Sequence, residues 1–573
     1  MTSDGDRYRN FGVAVYCRVH DLQRMGDLEW LEKSFNMLSR YVKVDKFYLE
    51  THRDMVVADK ELLAKIRDFL ASRGVKTSGG IATVVNERDQ FRSFCYSNPE
   101  HLERVKEIVR YTAELFDEVI IDDFFFTNCK CELCIEAKGD KSWTAYRLGL
   151  MEEVSRNIVI KTAKAVNPEV NIIIKYPNWY DHYQFLGYNL MVESQLFEMI
   201  YTGTETRDPE YTSQHLQQYH SYAIMRYLEN VKPGKNLGGW IDPFARRYLD
   251  RYAEQIRLTL FAKAKEVTLF CFGSLVESIK QPDGSYKPAS TVAPIAGNVF
   301  EKVDSFLDKL GQPCGIPSYK PYHSSGEDFL HNYIGMLGIP IDIVPEFPHE
   351  SSTVFLTKCA KFDENIVSEI QGQLVKGRTV VITSGLLKAL QDEGIEDIVE
   401  VEYTERKALA NKFMQFADVY HSDTDILIPQ IKYATNDAWE TITCLDKGNG
   451  YPLLLQARYA KGVLYILTIP ENFADLYHLP HETITQIKHV LMKDLKVHVE
   501  SPSRICLFAY DNDTFIVESF LPHLSRCNIV ISKKPAKLYD LISDREESGL
   551  VNGERTVFPT LVPLHSYRVY RFE

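Results

Sequence analysis

The sequence predicts an α/β chain: a (β/α)8 TIM barrel, then an open doubly wound α/β domain, then a small terminal β-domain. Three observations carry that reading. Eight short apolar runs alternate with longer amphipathic segments in the first half of the chain. Eight such units in roughly 275 residues match the usual size of a closed barrel. After Pro313 the strand-helix pattern changes character, and towards the end short strands dominate.

Strand one is read in FGVAVYCRV from Phe11, two in DKFYLE from Asp45, three in GVKTSGGIATV from Gly74 and four in EVIIDDFFF from Glu118. Strands five to eight are read in VNIIIKYPNW from Val170, FEMIYTGTE from Phe197, NLGGWIDPF from Asn236 and EVTLFCFGS from Glu266. Most are rich in β-branched and aromatic residues, with few interior breakers. Near-continuous apolar strands mean a parallel sheet covered on both faces.

Helical patterns lie between them. ADKELLAKIRDFLASRG closes on Gly74. NPEHLERVKEIVRYTAELF opens with Asn98 as N-cap and Pro99 in the first turn. RRYLDRYAEQIRLTLFAKAKE is a third.

Beyond Pro313, GIPSYKPYHSSGEDFLHNYIGMLGIPIDIVPEF reads as strand, helix, strand. ENIVSEIQGQLVKGRTVVITSG reads as helix, turn, strand. RICLFAYDN, DTFIVESFL, CNIVISKK and YRVYRFE read as the strands of the last domain. The boundaries are drawn at residues 1–310, 311–500 and 501–573.

A chain of 573 residues exceeds what one hydrophobic core supports. A net charge of −13 without a dense Lys/Arg tract argues against a nucleic-acid partner. No apolar run approaches the roughly 18 residues of a membrane span. The start, MTSDGDRYRN, does not read as a signal peptide, and cytoplasm and periplasm both stay open. The cysteine count is odd, and most cysteines stand singly in apolar runs, such as Cys17 and Cys271. Those read as buried free thiols, not a disulfide framework.

Parallel barrels keep their chemistry at the C-terminal strand ends. Strand two ends in Glu50 and His52, and strand four in Asp122 and Asp123. Lys175, Trp179, Tyr180 and Asp181 follow strand five. Strand six brings Tyr201, Glu205, Arg207 and Asp208; strand seven brings Trp240 and Asp242. Converging carboxylates among aromatic and cationic side chains suit glycoside hydrolysis. One carboxyl protonates the leaving oxygen, and a second attacks the anomeric carbon or activates water. Aromatic faces would cover the sugar ring, and Lys175 and Arg207 would anchor its polar groups.

Asp122-Asp123 is the strongest single feature. Neighbours on a strand point to opposite faces, so only one is expected to face the interior. An Asp pair can also simply end a strand. Glu205 can pair with Arg207 on a surface loop, and Asp242 can start a turn before Pro243.

Cys129, Cys131 and Cys134 form C-x-C-x2-C just after the Asp pair, and Cys95 sits in the loop after strand three. Strands three and four are barrel neighbours, so four thiolates can converge on one structural zinc ion.

FCYSNPE at Phe94 and IDDFFFTNCKCELC at Ile121 resemble the family-42 glycoside hydrolases, the β-galactosidases. The family holds zinc on a similar cluster, with its strand-four acid/base just before it. LGIPIDIVPEF and ENIVSEIQGQLVKGRTVVITSG resemble that family's trimerisation domain, a glutamine-amidotransferase-like fold. The resemblance implies a glycosidase on an oligosaccharide or glycoside, with no organic cofactor, in a homo-oligomer of two or three chains. It matches Asp123 to the acid/base. The family has Asn-Glu where this chain has Asp122-Asp123, and its strand-seven nucleophile is Glu where the nearest candidate here is Asp242.

A second arrangement is that of the retaining α-glycosidases of clan D, with a nucleophilic Asp on strand four and the acid/base on strand six. Asp122 or Asp123 with Glu205 or Asp208 fits it. The strand-four Asp ranks first in either scheme, and Glu205 ranks above Asp242 as its partner. The reading is a retaining, exo-acting glycosidase; the alternative is a carbohydrate-binding barrel without catalysis. RTVVITSGLLKAL holds no nucleophile elbow, so the α/β domain is expected to serve oligomer contact.

Overall fold

Strand β1 (Gly12–Cys17) pairs in parallel with both β2 (Lys46–Arg53) and β8 (Glu266–Phe270), and this double pairing closes the first sheet into a barrel. Between them follow β3 (Lys76–Ile81), β4 (Glu118–Ile121), β5 (Asn171–Tyr176), β6 (Met199–Gly203) and β7 (Asn236–Ile241), each parallel to its neighbours. All eight expected runs are barrel strands. The computed structural model describes residues 7–280, 286–433 and 438–573. It divides into two compact units, one ending at Asp308 and one beginning at Lys309.

The helices begin where the sequence signals them. Asp59 accepts the amide of Leu62 to start Lys60–Ala71, and Gly74, at φ +72°, turns the chain towards β3. Asn98 accepts the amide of Glu100, with Pro99 as first residue of Pro99–Leu115. The third helix is Leu249–Phe261.

Inside the barrel, Ala14, Tyr16, Tyr48, Ile120, Ile173, Tyr201 and Trp240 pack into one cluster. Its lower end is polar. Lys46 bridges Glu118 and Glu266 at 2.8 Å each, and Tyr48 donates to Glu266 at 2.9 Å. These groups sit at the N-terminal strand ends, where a barrel invests in stability rather than catalysis. The opposite end is left to the site.

The second unit contains the expected α/β sheet. Ile316–Tyr319, Ile341–Val344, Thr353–Leu356, Thr379–Thr383 and Gly462–Leu467 lie parallel, in spatial order second, first, third, fourth, fifth. The sheet then continues through four antiparallel strands that sequence analysis did not separate: Asn449–Tyr459, Ala438–Asp446, Val401–Gln415 and Asp418–Tyr433. The two longest carry register shifts after Tyr403 and Ala410, which break the period of two that marks a strand in sequence.

The C-terminal strands form two antiparallel sheets. The short strand Pro313–Cys314 pairs with Ile505–Tyr510, so the first residues after the barrel join the sheet built by the last ones. Cys17 and Cys271 are buried free thiols, as expected.

Candidate active site at the barrel mouth

The C-terminal strand ends surround a cavity of about 540 Å³. Asp122, Asp123, Lys175, Trp179, Glu205, Arg207, Trp240 and Asp242 all line it. Most of the side chains chosen from sequence therefore meet in one place.

Both aspartates face the cavity, which corrects the expectation that only one would. The alternation rule holds only while the chain stays extended. β4 ends at Ile121; the amide of Asp122 still bonds Ile81 of β3, but Phe125 then bonds back to the carbonyl of Asp122 in a turn. The turn carries Asp123 round to the same side.

Lys175, next to last in β5, is the hub. Its Nζ lies 2.7 Å from Asp123 Oδ2, 3.3 Å from Glu205 Oε1 and 3.5 Å from Asp122 Oδ1. It also sits 4.4 Å above the Trp240 ring. A buried ammonium needs such partners. Their charges outweigh its burial and hold it firmly protonated.

Gly203 is what lets Glu205 reach Lys175. A Cβ at Gly203 would stand 2.7 Å from Glu205 Oε2 and 3.1 Å from the carbonyl of Tyr176. Any side chain there would push Glu205 away from β5.

Asp122 has a second cation. Arg53 Nη2 contacts it at 2.8 Å, while Arg53 Nε donates to Glu50 and Nη1 to Glu87. Glu50 is held in turn by Tyr16 Oη at 2.7 Å and the Val19 amide at 2.8 Å. Burial pushes the Asp122 carboxyl up, but Lys175 and Arg53 overcome it and hold it below the usual range. Asp123 differs. Burial, with Asp122 and Glu205 beside it, raises its carboxyl to about 7 in spite of Lys175. Glu205 is also raised, by burial first and by Asp242, against Lys175. One carboxylate kept ionised beside another whose carboxyl is raised is the arrangement acid/base catalysis uses.

Asp242 stands in a separate pair. Arg207 grips it with two contacts, Nε at 3.2 Å and Nη2 at 2.7 Å. Arg207 therefore serves Asp242 rather than Glu205, and it does so from the left-handed backbone region at φ +56°. Asp242 also accepts the Phe244 amide at 3.0 Å, so it does start a turn as well as line the cavity.

Three expected substrate contacts lie behind the cavity wall. Tyr201 sits mid-strand, where its hydroxyl bonds Thr268 at 2.7 Å and Glu266 at 3.2 Å near the lower end of the barrel. Tyr180 is buried in a short 3-10 turn and stacks on His220 at 5.6 Å. Asp208 accepts the amides of Glu210 and Tyr211 and braces the loop after β6. Trp240 does both jobs: it belongs to the barrel core and forms the cavity floor. His52 is buried, with Nδ1 on the carbonyl of Ala82 at 2.7 Å.

Sequence analysis missed Arg18, Arg53, Glu87, Phe91, Phe124, Gln214, Phe244 and Phe270 of the lining. Arg53 was legible: it is the last residue of β2, three beyond Glu50. Phe124 follows strand four and Phe270 ends strand eight, but phenylalanine carries no ionisable group to mark it as a site residue. Phe91 and Phe124 stack at 5.2 Å and form an apolar wall.

Beside the site, the four cysteines converge. Cys95 Sγ lies 3.6 Å from Cys131 and 3.5 Å from Cys134, Cys131 and Cys134 are 3.7 Å apart, and Cys129 completes the group. Thiolates on a tetrahedral zinc ion stand roughly 3.8 Å apart, given the Zn–S bond length. Three of the sulfurs already stand at that spacing, and Cys129 lies within 4.8 Å of them, so the group fits a metal ion.

Residues 3–308, more than half of the chain, match the family described as probable glycosyl hydrolase, catalytic domain. The chain belongs to that glycosyl hydrolase family. Residues 311–472 match the second domain of the uncharacterized protein SSO3021, and 496–572 match the probable glycosyl hydrolase C-terminal domain. SSO3021 of Saccharolobus solfataricus is 23% identical over 507 residues, which cover 80% of this chain and 82% of that protein.

Among solved structures, the β-galactosidase of Bacillus circulans sp. alkalophilus is 11% identical, with a TM-score of 0.65 over 98% of this chain and 99% of that one. The exo-β-1,4-mannosidase Op5Man5 of Opitutaceae bacterium strain TAV5 is 12% identical, with a TM-score of 0.53 over 86% and 97%. At these identities the likeness is one of fold. The glycosyl hydrolase thus shares the fold of these glycosidases.

Proposed function

We propose that the chain is a retaining, exo-acting glycosidase in which Asp123 is the proton donor and Glu205 the nucleophile. The observation that carries this reading is the shared contact with Lys175. Two carboxylates on one ammonium at 2.7 and 3.3 Å stand at most roughly 6 Å apart, closer to the retaining spacing than to the inverting one. Glu205 attacks the anomeric carbon as the glycosidic C–O bond breaks, and the proton of Asp123 passes to the leaving oxygen. Asp123 then takes a proton from water, whose oxygen displaces Glu205 from the sugar. Asp122, held ionised, supports the positive charge that develops on the ring. Trp179, Trp240 and the Phe91–Phe124 wall supply the apolar contact. A cavity of about 540 Å³, floored by Trp240, suits a terminal sugar better than a through-running chain.

One observation favours the non-hydrolytic reading. Lys175 stands between the two carboxylates, where an anomeric carbon would sit. Hydrolysis then requires the substrate to displace the ammonium towards Asp122.

The test is a panel of aryl glycosides with Asp123→Asn and Glu205→Gln. Each substitution is expected to lower kcat by about 10² to 10⁴. A 2-fluoro glycoside is expected to label Glu205 covalently. Wild-type protein inert on the whole panel favours the binding module, and a label on Asp242 or Asp123 reassigns the nucleophile. We propose zinc as the ion of the four cysteines. We also propose that residues 401–433, which expose Leu409, Phe416, Val419 and Leu427, carry the contact between chains of a homo-oligomer.

A further inference from the structure

The second unit holds a histidine cluster that the barrel chemistry does not use. His489 lies in the last turn of the helix His481–Leu491, and His498 and Glu500 lie on the strand Val497–Glu500. Residues two apart on a strand share a face, so His498 and Glu500 point the same way. The two imidazole rings meet edge to face, 5.0 Å apart. One ligand atom from each of the three side chains lies within 4.8 Å of the other two.

A second observation points to a ligand. Nε2 of His489 and Nε2 of His498 are both buried, and neither has a hydrogen-bond partner among the described residues. Folded proteins rarely leave buried polar nitrogens unpaired, and two of them next to one carboxylate need an explanation. The surroundings also suit a bound ion. The strand pairs with Ser525–Ile531 in a register that places Glu500 opposite Asn528. Asn528 Nδ2 then donates to Glu500 Oε2 at 3.1 Å, the kind of outer contact that orients a metal-binding carboxylate. Lys488 turns away, donating to the Val499 carbonyl at 2.7 Å and to Ser501 at 3.1 Å. A cavity of about 450 Å³, lined by His489, Glu500 and Asn528, gives an entry path and room for water.

We propose that His489, His498 and Glu500 bind a divalent transition-metal ion, with water completing its shell. Two imidazoles and a carboxylate select zinc or cobalt over calcium or magnesium, which prefer all-oxygen shells. Tetrahedral ligands at ordinary zinc distances stand roughly 3.4 Å apart, so an ion draws the three groups in by at most about 1.4 Å. The site is separate from the four-cysteine cluster, and none of its three ligands is a thiolate, although Cys527 also lines the cavity.

Full-length protein is stripped with a chelator, reloaded with Zn²⁺ and desalted, and zinc is counted per chain by atomic spectroscopy. Wild type is expected to hold one more zinc than His498→Ala. A folded Cys131→Ser, Cys134→Ser protein is expected to keep this zinc. With Co²⁺ in its place, that double variant shows visible absorption without a thiolate charge-transfer band. If His498→Ala fails to fold, His489→Gln combined with Glu500→Gln is counted instead. Equal counts in wild type and the histidine variants overturn the proposal, as does a folded cysteine variant that holds no zinc.

Discussion

Lys175 Nζ donates to Asp123 Oδ2 at 2.7 Å while it also touches Asp122 and Glu205. Among these groups it is the cation that opposes the rise in the Asp123 carboxyl. Lys175→Met is therefore expected to raise that carboxyl further and to move the alkaline limb of kcat/KM to higher pH. kcat itself falls by about 10² or more, because three carboxyl groups lose their shared counter-charge. Initial rates across pH on an aryl glycoside check this, and an unmoved alkaline limb removes Lys175 from the mechanism.

In the proposed mechanism Asp123 acts as an acid only while protonated. With its carboxyl near 7, activity is expected to decline as pH rises through about 7. Asp123→Asn abolishes that limb together with most of the rate. A wild-type alkaline limb that survives in the residual activity of Asp123→Asn belongs to another group.

Glu193 offers a stability test outside the cavity. It is buried, accepts Ser155 Oγ at 2.9 Å and the Asn189 amide at 2.9 Å, and burial raises its carboxyl to about 8. The folded chain then holds a proton that the unfolded chain releases near pH 4.5. Stability contributed by the protonated form is complete below about 4.5 and is lost as pH rises to about 8. Glu193→Gln, which cannot ionise, is expected to flatten that part of the Tm–pH curve. Parallel curves for the two proteins refute the assignment.

Trp179 and Trp240 should separate by experiment. Trp240 is core and floor at once, so Trp240→Ala is expected to cost about 3–5 kcal/mol of stability as well as activity. Trp179 lines the cavity and is only half-buried, so Trp179→Ala is expected to raise KM with a small change in Tm. Thermal melts paired with KM values decide. Equal destabilisation by both substitutions would make Trp179 a core residue.

The four cysteines join the loops that follow β3 and β4. Cys131→Ser is expected to lower the zinc count by one and Tm by several degrees, with a smaller fall in kcat. Asp123 stands in the second of those loops, so its position depends on the clamp. A Tm unaffected by chelator would leave the cluster without a structural role.

Much of this site was legible because a barrel converts sequence order into spatial order. Once eight strands were placed, Asp123, Lys175, Glu205 and Asp242 had to come near one another. What could not be read was pairing. Nothing in TGTETRDP says that Arg207 reaches across to Asp242 while Glu205 folds back to Lys175. That choice depends on the space left by Gly203 and on the left-handed backbone of Arg207. The period-two rule failed at Asp123 because a turn had already begun. Tyr201 was misplaced for a related reason: its position in the strand was read as an exit, though the strand runs on to Gly203. The long strands 401–433 escaped because register shifts erase the pattern that marks a strand.

The ion-pair chain from Tyr16 through Glu50 and Arg53 to Asp122 runs between β1, β2 and the end of β4, crossing from staves of the barrel to its rim. The charge on Asp122 is thereby anchored in the scaffold rather than in the surface segments that shape the opening. Exchanging the segments after β6 or β7 would alter which ring is admitted while leaving this electrostatic foundation in place. In the proposed mechanism such a division would let one scaffold accept new sugars without relearning how to handle a proton.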